Sequence, residues 1–186
     1  MARPKEFTED KALDGAIKIF WERGYARTTL PDLLTAMGIS RGSFYAAFTD
    51  KYNTYCLALA QYHTVNLAKL LTKMRTQTSL PLVDRLLFLF EDMNTSSPSE
   101  SRLGCFICNT MVEFGTTDPV IAQRVNQMAN DIENCLYDIV RESGKDTATA
   151  KHQSKAILQL YLGAQAVHKS GGNVIHFKTY LQKIVA

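Results

Sequence analysis

Apolar side chains recur at three- and four-residue steps along most of this 186-residue chain, the period of helices that bury one face. No segment alternates apolar and polar positions as a half-buried strand does, so the expected fold class is all-α. In the opening segment Leu13, Ala16, Ile17, Phe20 and Trp21 share a face. Thr8 suits the N-cap, Glu9 and Asp10 complement the helix dipole, and Gly24 stops the helix. A short second helix begins at Thr29, with Pro31 in its first turn and Leu30, Leu33 and Leu34 looking inward. Met37-Gly38-Ile39 reads as a turn, and Ser40 caps a third helix.

A longer helix is expected from Asp50 into the mid-70s, its buried stripe running Tyr52, Tyr55, Cys56, Leu59, Tyr62, His63, Leu67, Leu70, Leu71 and Met74. Further helices are expected over Leu82 to Met93 and from about Gly104 to Phe114, separated by the loop-like NTSSPSESR at 94–102. Two long helices follow. In the first, Ile121, Val125, Met128, Ile132, Cys135 and Ile139 step by fours and threes, a spacing that resembles a helix-pairing seam. In the second, from about Ala148 to Lys169, Ala156, Gly163, Ala164 and Ala166 permit close helix approach. The natural boundary lies near residue 50, between a three-helix head (1–50) and the rest (51–186).

Composition narrows the function classes. A hydrophobic share of 46% and a charged share of 21% fit a globular protein with a real core. No apolar run approaches the roughly 18 residues of a membrane span, and MARPKEFTED has no apolar stretch of the signal-peptide kind. No membrane role is therefore expected. Four cysteines without a secretion signal suggest thiols in a reducing cytoplasm. The net charge of +3 is small, and residues 1–51 hold eight Lys/Arg against seven Asp/Glu. A nucleic-acid site here has to be built by placement and not by bulk charge.

A three-helix unit with a short turn before its third helix is a helix-turn-helix, and such motifs put the start of the third helix into the major groove of double-stranded DNA. Arg41 can reach guanine edges or a phosphate, and Ser43 can hydrogen-bond either. Tyr45 offers a ring to a thymine methyl and a hydroxyl to a phosphate. Gly42 costs about 1 kcal/mol against alanine in a helix, which makes sense where a duplex must come close. Ser40 belongs to the same end. Thr28, Thr29 and Lys51 sit at helix starts that suit phosphates, and Arg3 and Lys5 on the tail can add screened contacts. Phe44 and Phe48 read as core.

The segment FWERGYARTTLPDLLTAMGISRGSFYAAFTDK (20–51) strongly resembles the DNA-binding signature of TetR-family transcriptional regulators. The matching parts are the aromatic-x-x-x-Gly-Tyr close of the first helix, the Thr-Thr opening of the second, Ala-x-Gly-Ile-Ser, Gly-Ser-Phe-Tyr-x-x-Phe and Asp-Lys. Tyr52 departs from the pattern, which more usually has an acidic residue there. The resemblance implies a homodimeric repressor on a palindromic operator, with no catalysis and no cofactor. Its two long C-terminal helices would pair with their mates as a four-helix bundle. The C-terminal domain would bind a small-molecule effector that releases DNA. Tyr62, His63, Phe88, Phe106, Met111 and Phe114 come from helices that would surround such a pocket.

One C-terminal stretch carries chemistry of its own. RLGCFICNTMVEFG (102–115) sets Cys105 at a helix start, where the dipole, with Arg102 nearby, is expected to favour thiolate. Cys108 lies one turn on, as a candidate resolving thiol. Residues 103–115, together with YLGAQAVHKSG (161–171), also resemble the NemR-like branch, whose members sense electrophiles or oxidants through a cysteine at the position of Cys105. Against this stands the plain reading of a small buried residue. A zinc site is not expected, because Cys105 and Cys108 lack a second ligand pair. Two other classes remain as alternatives: a helical thiol-redox protein, and a protein-binding adaptor that does not bind DNA.

Overall fold

The computed structural model describes residues 8–94, 103–172 and 176–186. Arg3, Lys5 and Arg102, and all but Asn94 of the loop at 94–102, lie outside them. Every regular element among the described residues is helical. The chain divides into two compact units, 1–66 and 67–186.

The first unit holds α1 (Glu9–Arg23), α2 (Leu30–Met37), α3 (Arg41–Phe48) and α4 (Lys51–Gln61). Helix α1 packs on α2 and α4. Its crossing of α2 depends on Gly15, where a Cβ would lie 2.0 Å from the Ala36 carbonyl oxygen. Leu13, Ala16, Ile17 and Phe20 are buried as the periodicity expects, together with Leu33, Phe44, Phe48, Tyr55 and Leu59. Helix α2 ends at Gly38, whose left-handed φ of 66° makes the turn into α3. Tyr52, placed on the buried stripe by its spacing, is instead 37% exposed.

Between α3 and α4 the backbone is strained. Thr49 has φ 66° and ψ −62°, and the Asp50 N–H donates to Phe48 O at 2.7 Å, which together make the rare γ-turn of positive φ. Asn53 Nδ2 donates to Phe48 O at 3.0 Å and its N–H to Asp50 Oδ1 at 2.7 Å, holding the turn shut. Thr49→Gly is expected to stabilise the protein by about 1 kcal/mol, since only glycine takes this φ without penalty. Urea unfolding of the two proteins side by side checks it.

The long helix expected from Asp50 is interrupted. Residues Tyr62–Leu67 form a π-helical turn before α5 (Ala68–Thr76). Thr64 Oγ1 donates to Ala60 O at 3.1 Å and Gln61 O at 3.3 Å, serving carbonyls where the helix widens. The second unit continues with α6 (Leu82–Leu87) and a 3₁₀ segment Phe88–Asn94. Leu86 of α6 is buried, as are Leu89, Phe90 and Met93 of the 3₁₀ segment. Then come α7 (Phe106–Phe114), α8 (Pro119–Glu142), α9 (Thr147–Lys169) and α10 (Phe177–Val185).

Helices α8 and α9 make the most extensive packing in this unit. The seam residues Ile121, Val125, Met128, Ile132, Cys135 and Ile139 are all fully buried within the single chain. They are therefore not a free surface for a second copy; the spacing marked a buried face, and the neighbouring helices of the same chain cover it. Helix α10 closes on an aromatic cluster, with Phe177 4.4 Å from Phe90 and Phe90 edge-on to Tyr161 at 5.7 Å.

Candidate nucleic-acid interface and cysteine segment

The start of α3 is built to present side chains outward. Ser40 caps the helix, its Oγ accepting from the Ser43 N–H at 3.1 Å and lying 3.0 Å from Ser43 Oγ. Phe44 and Phe48 point into the head and anchor α3. Arg41, Gly42 and Tyr45 are left exposed, Tyr45 by 48%. The Arg41 guanidinium lies 5.8 Å from the Tyr45 ring centroid, so the two reach from one patch. A Cβ on Gly42 would meet nothing nearer than Ser40 Oγ at 4.0 Å. Among the described residues no packing requires glycine there.

Thr28 and Thr29, paired by the sequence, separate in the structure. Thr29 is exposed and forms a capping box with Asp32: Asp32 N–H donates to Thr29 Oγ1, and Thr29 N–H and Oγ1 donate to Asp32 Oδ2. Those bonds, the Thr29 hydroxyl's first, hold the Asp32 carboxyl below its ordinary range, with Arg23 at 2.7 Å adding to them. Thr28 is fully buried, its hydroxyl donating to Gly24 O at 2.6 Å. This corrects its expected phosphate contact: its side chain closes the turn after α1 and does not face solvent. Lys51 begins α4 with its ammonium 4.3 Å from the Tyr25 ring centroid.

Cys105 is the N-cap residue of α7, buried, with no side-chain capping bond. Burial pushes its thiol up, outweighing the Tyr161 side chain and the Ile107 and Cys108 amides that pull it down. The thiolate expected from the helix start is thus reversed by desolvation. Cys108 is half-buried, its thiol facing Leu162 O at 3.7 Å; burial raises it too, against the attraction of Lys169. Cys56 and Cys135 are buried, as packing residues should be. Under native conditions Cys108 is expected to be alkylated by iodoacetamide before Cys105, and neither quickly below pH 9. Peptide mass spectrometry over a pH series reads this, and early labelling of Cys105 would contradict it. Raised thiols also set the sign of a stability effect. Their contribution is complete below the ordinary thiol range and falls as pH rises through it, because the unfolded chain ionises first.

The six residues expected to line a pocket divide between the units. Tyr62 belongs to the first unit, edge-on to Trp21 at 5.5 Å, and His63 lies beside it in the chain. Phe106 is buried in the second unit, where Phe88, Met111 and Phe114 are half-buried. The Phe90–Tyr161–Phe177 cluster was missed by the sequence reading, its members being far apart along the chain.

Two family models match the chain: bacterial regulatory proteins of the tetR family over residues 12–53, and the tetracyclin repressor-like C-terminal domain over 83–164. The chain belongs to the TetR family. Among TetR-type relatives, the HTH-type transcriptional regulator YezE of Bacillus subtilis is 29% identical over 170 residues, 86% of this chain and 87% of its own. The fold is shared with reduced Escherichia coli NemR, at a TM-score of 0.78 and 17% identity over 95% of this chain and 96% of that one. It is shared equally with a cysteine mutant of the TetR-family regulator CifR complexed with a 26-base-pair operator duplex (TM-score 0.79, 20% identity, 98% of each chain). A TetR-type regulator is not an enzyme. No helix among the described residues is long and apolar enough to cross a membrane.

In this TetR head the sequence reading also missed Asp32 and Tyr25. The first was legible as Thr-x-x-Asp, the capping-box spacing. The second is an aromatic residue just beyond a helix end, and its contact with Lys51 is set by the fold and not by the local sequence.

Proposed function

We propose that this TetR-family chain is an operator-binding repressor, acting as a homodimer in the cytoplasm and released from a palindromic operator by an effector. Residues 1–50 carry DNA recognition, and 51–186 carry effector binding and dimerisation. The observation that supports this most is the exposed start of α3, where Arg41, Ser43 and Tyr45 surround a glycine that the fold itself does not need. Ser40, Thr29 and Lys51 flank it as phosphate contacts. Dimerisation is assigned to the outward face of α9. There Ala156, Gly163 and Val167 are exposed, Leu160 is half-exposed, and a Cβ on Gly163 would meet nothing within 4 Å. Two recognition helices would then read half-sites about 34–36 Å apart.

The effector works by population shift, favouring a head spacing that fits the operator poorly. A reversible small molecule suits the second unit better than thiol chemistry, because Cys105 is buried and its thiol raised. Modification of Cys105 by an electrophile, with Cys108 resolving it, is the competing reading. The test is enrichment of duplexes from a random pool by the purified protein, then fluorescence anisotropy on the selected duplex. Arg41→Ala is expected to weaken specific binding by about ten-fold or more, one lost bidentate contact per head, with the dimer intact. No enriched sequence, or unchanged affinity in that variant, would count against the reading. Release by a thiol-reactive electrophile in wild type but not in Cys105→Ser would decide for the cysteine.

A further inference from the structure

We propose that Tyr25 is a positioning residue for DNA binding, its ring seating the Lys51 ammonium where it meets an operator phosphate. The inference rests on the assignment of Lys51 as a phosphate contact and deepens it. Tyr25 leaves α1 just after Gly24, whose N–H returns to Phe20 O at 2.8 Å. The Thr28 N–H donates to Tyr25 O at 3.2 Å, so the backbone on both sides of the ring is fixed. The ring stacks on Phe20 at 6.2 Å and meets Tyr55 edge-on at 5.2 Å, while Phe20 and Tyr55 touch each other at 4.8 Å. Phe20 and Tyr55 are both fully buried. Tyr25 is therefore a half-exposed ring held against two buried ones.

Lys51 and Tyr55 are four residues apart on α4 and so lie on the same face. That register brings the Lys51 ammonium over the Tyr25 ring, 4.3 Å from its centroid. The ring attracts the cation through its negative face. A lysine loses more rotamer freedom on being fixed than most side chains. A ring that already holds it removes part of that loss before DNA arrives, which is preorganisation.

The test is a double-mutant cycle on the selected duplex, with Lys51→Met, Tyr25→Leu, both together, and Tyr25→Phe. Lys51→Met is expected to weaken binding and flatten the dependence of log K on log salt by about one per head. Tyr25→Leu is expected to weaken binding about two- to five-fold per head while leaving that slope unchanged. In the Lys51→Met background Tyr25→Leu should cost nothing more, and Tyr25→Phe should bind normally. Additive losses, or normal binding by Tyr25→Leu, would overturn the proposal while leaving Lys51 a contact. No effect of Lys51→Met would instead remove the Lys51 assignment itself. Should Tyr25→Leu fail to fold, proton NMR of the wild-type protein still decides. The Lys51 ε-methylene protons must be shifted upfield by the ring and show cross-peaks to it, and random-coil shifts there would overturn the seating.

Discussion

Gly42→Leu is expected to weaken operator binding by about 100-fold or more and to leave the protein at least as stable. The two halves of this prediction come from one observation. A Cβ at Gly42 enters open space, the nearest atom being Ser40 Oγ at 4.0 Å, so the folded chain accommodates a larger side chain. Replacing a helical glycine then gains up to about 1 kcal/mol of backbone preference. On DNA the same side chain stands between α3 and the groove floor. The recognition helix cannot dock, and the loss approaches the margin of specific over non-specific binding, about 10³ or more. Gly15 is the contrast: a Cβ there would strike Ala36 O at 2.0 Å, so its replacement damages the fold before it touches function. Anisotropy on the selected duplex and thermal unfolding, run on the same preparation, separate the cases. Normal binding by Gly42→Leu would mean that α3 does not approach DNA by its first turn.

Much of the head was legible because its signals are local. Thr29, Ser40 and Asp50 cap helices by chemistry that acts over three residues, and Gly24 and Gly38 end them. Helix α9 runs Thr147–Lys169, one residue longer at its start than the pattern suggested. What the sequence could not show depended on orientation or on competition between opposed effects. Thr28 and Thr29 are adjacent residues of one type, and only the turn after Gly24 decides which hydroxyl turns inward. Tyr62 and Leu67 are both buried five residues apart, a spacing that a regular α-helix does not keep on one face and a π turn does. The α8 seam showed that a face is buried, but the same spacing serves a partner helix from either chain. At Cys105 a helix start and burial push the thiol in opposite directions, and the size of the burial is a tertiary fact.

The largest stability loss is expected at Arg85, which the hydrophobic pattern does not mark. Arg85 is only 5% exposed on α6. Its Nε donates to Met74 O at 3.0 Å and one terminal nitrogen to Arg75 O at 3.2 Å, so the guanidinium satisfies two carbonyls of the last turn of α5. The other terminal nitrogen meets Glu142 Oε2 at 2.7 Å, at the end of α8. The ends of two helices, α5 and α8, thus converge on one side chain of a third. Arg85→Ala strands carbonyls that water reaches poorly, at about 1–3 kcal/mol for the buried one, and removes the packing of the stem. A total of about 2–4 kcal/mol follows, or about 5–15 °C in Tm for a chain of this size. Glu142 is different. Its side chain is 51% exposed, so solvent screens the pair and Glu142→Gln should cost less than about 1 kcal/mol. Arg85→Lys should fall between, since an ammonium carries the charge but cannot fork to two carbonyls and a carboxylate in one plane. Calorimetry on the three variants reads the order directly. If Glu142→Gln cost as much as Arg85→Ala, the ion pair would be the source of the stability, and the capping of α5 would not.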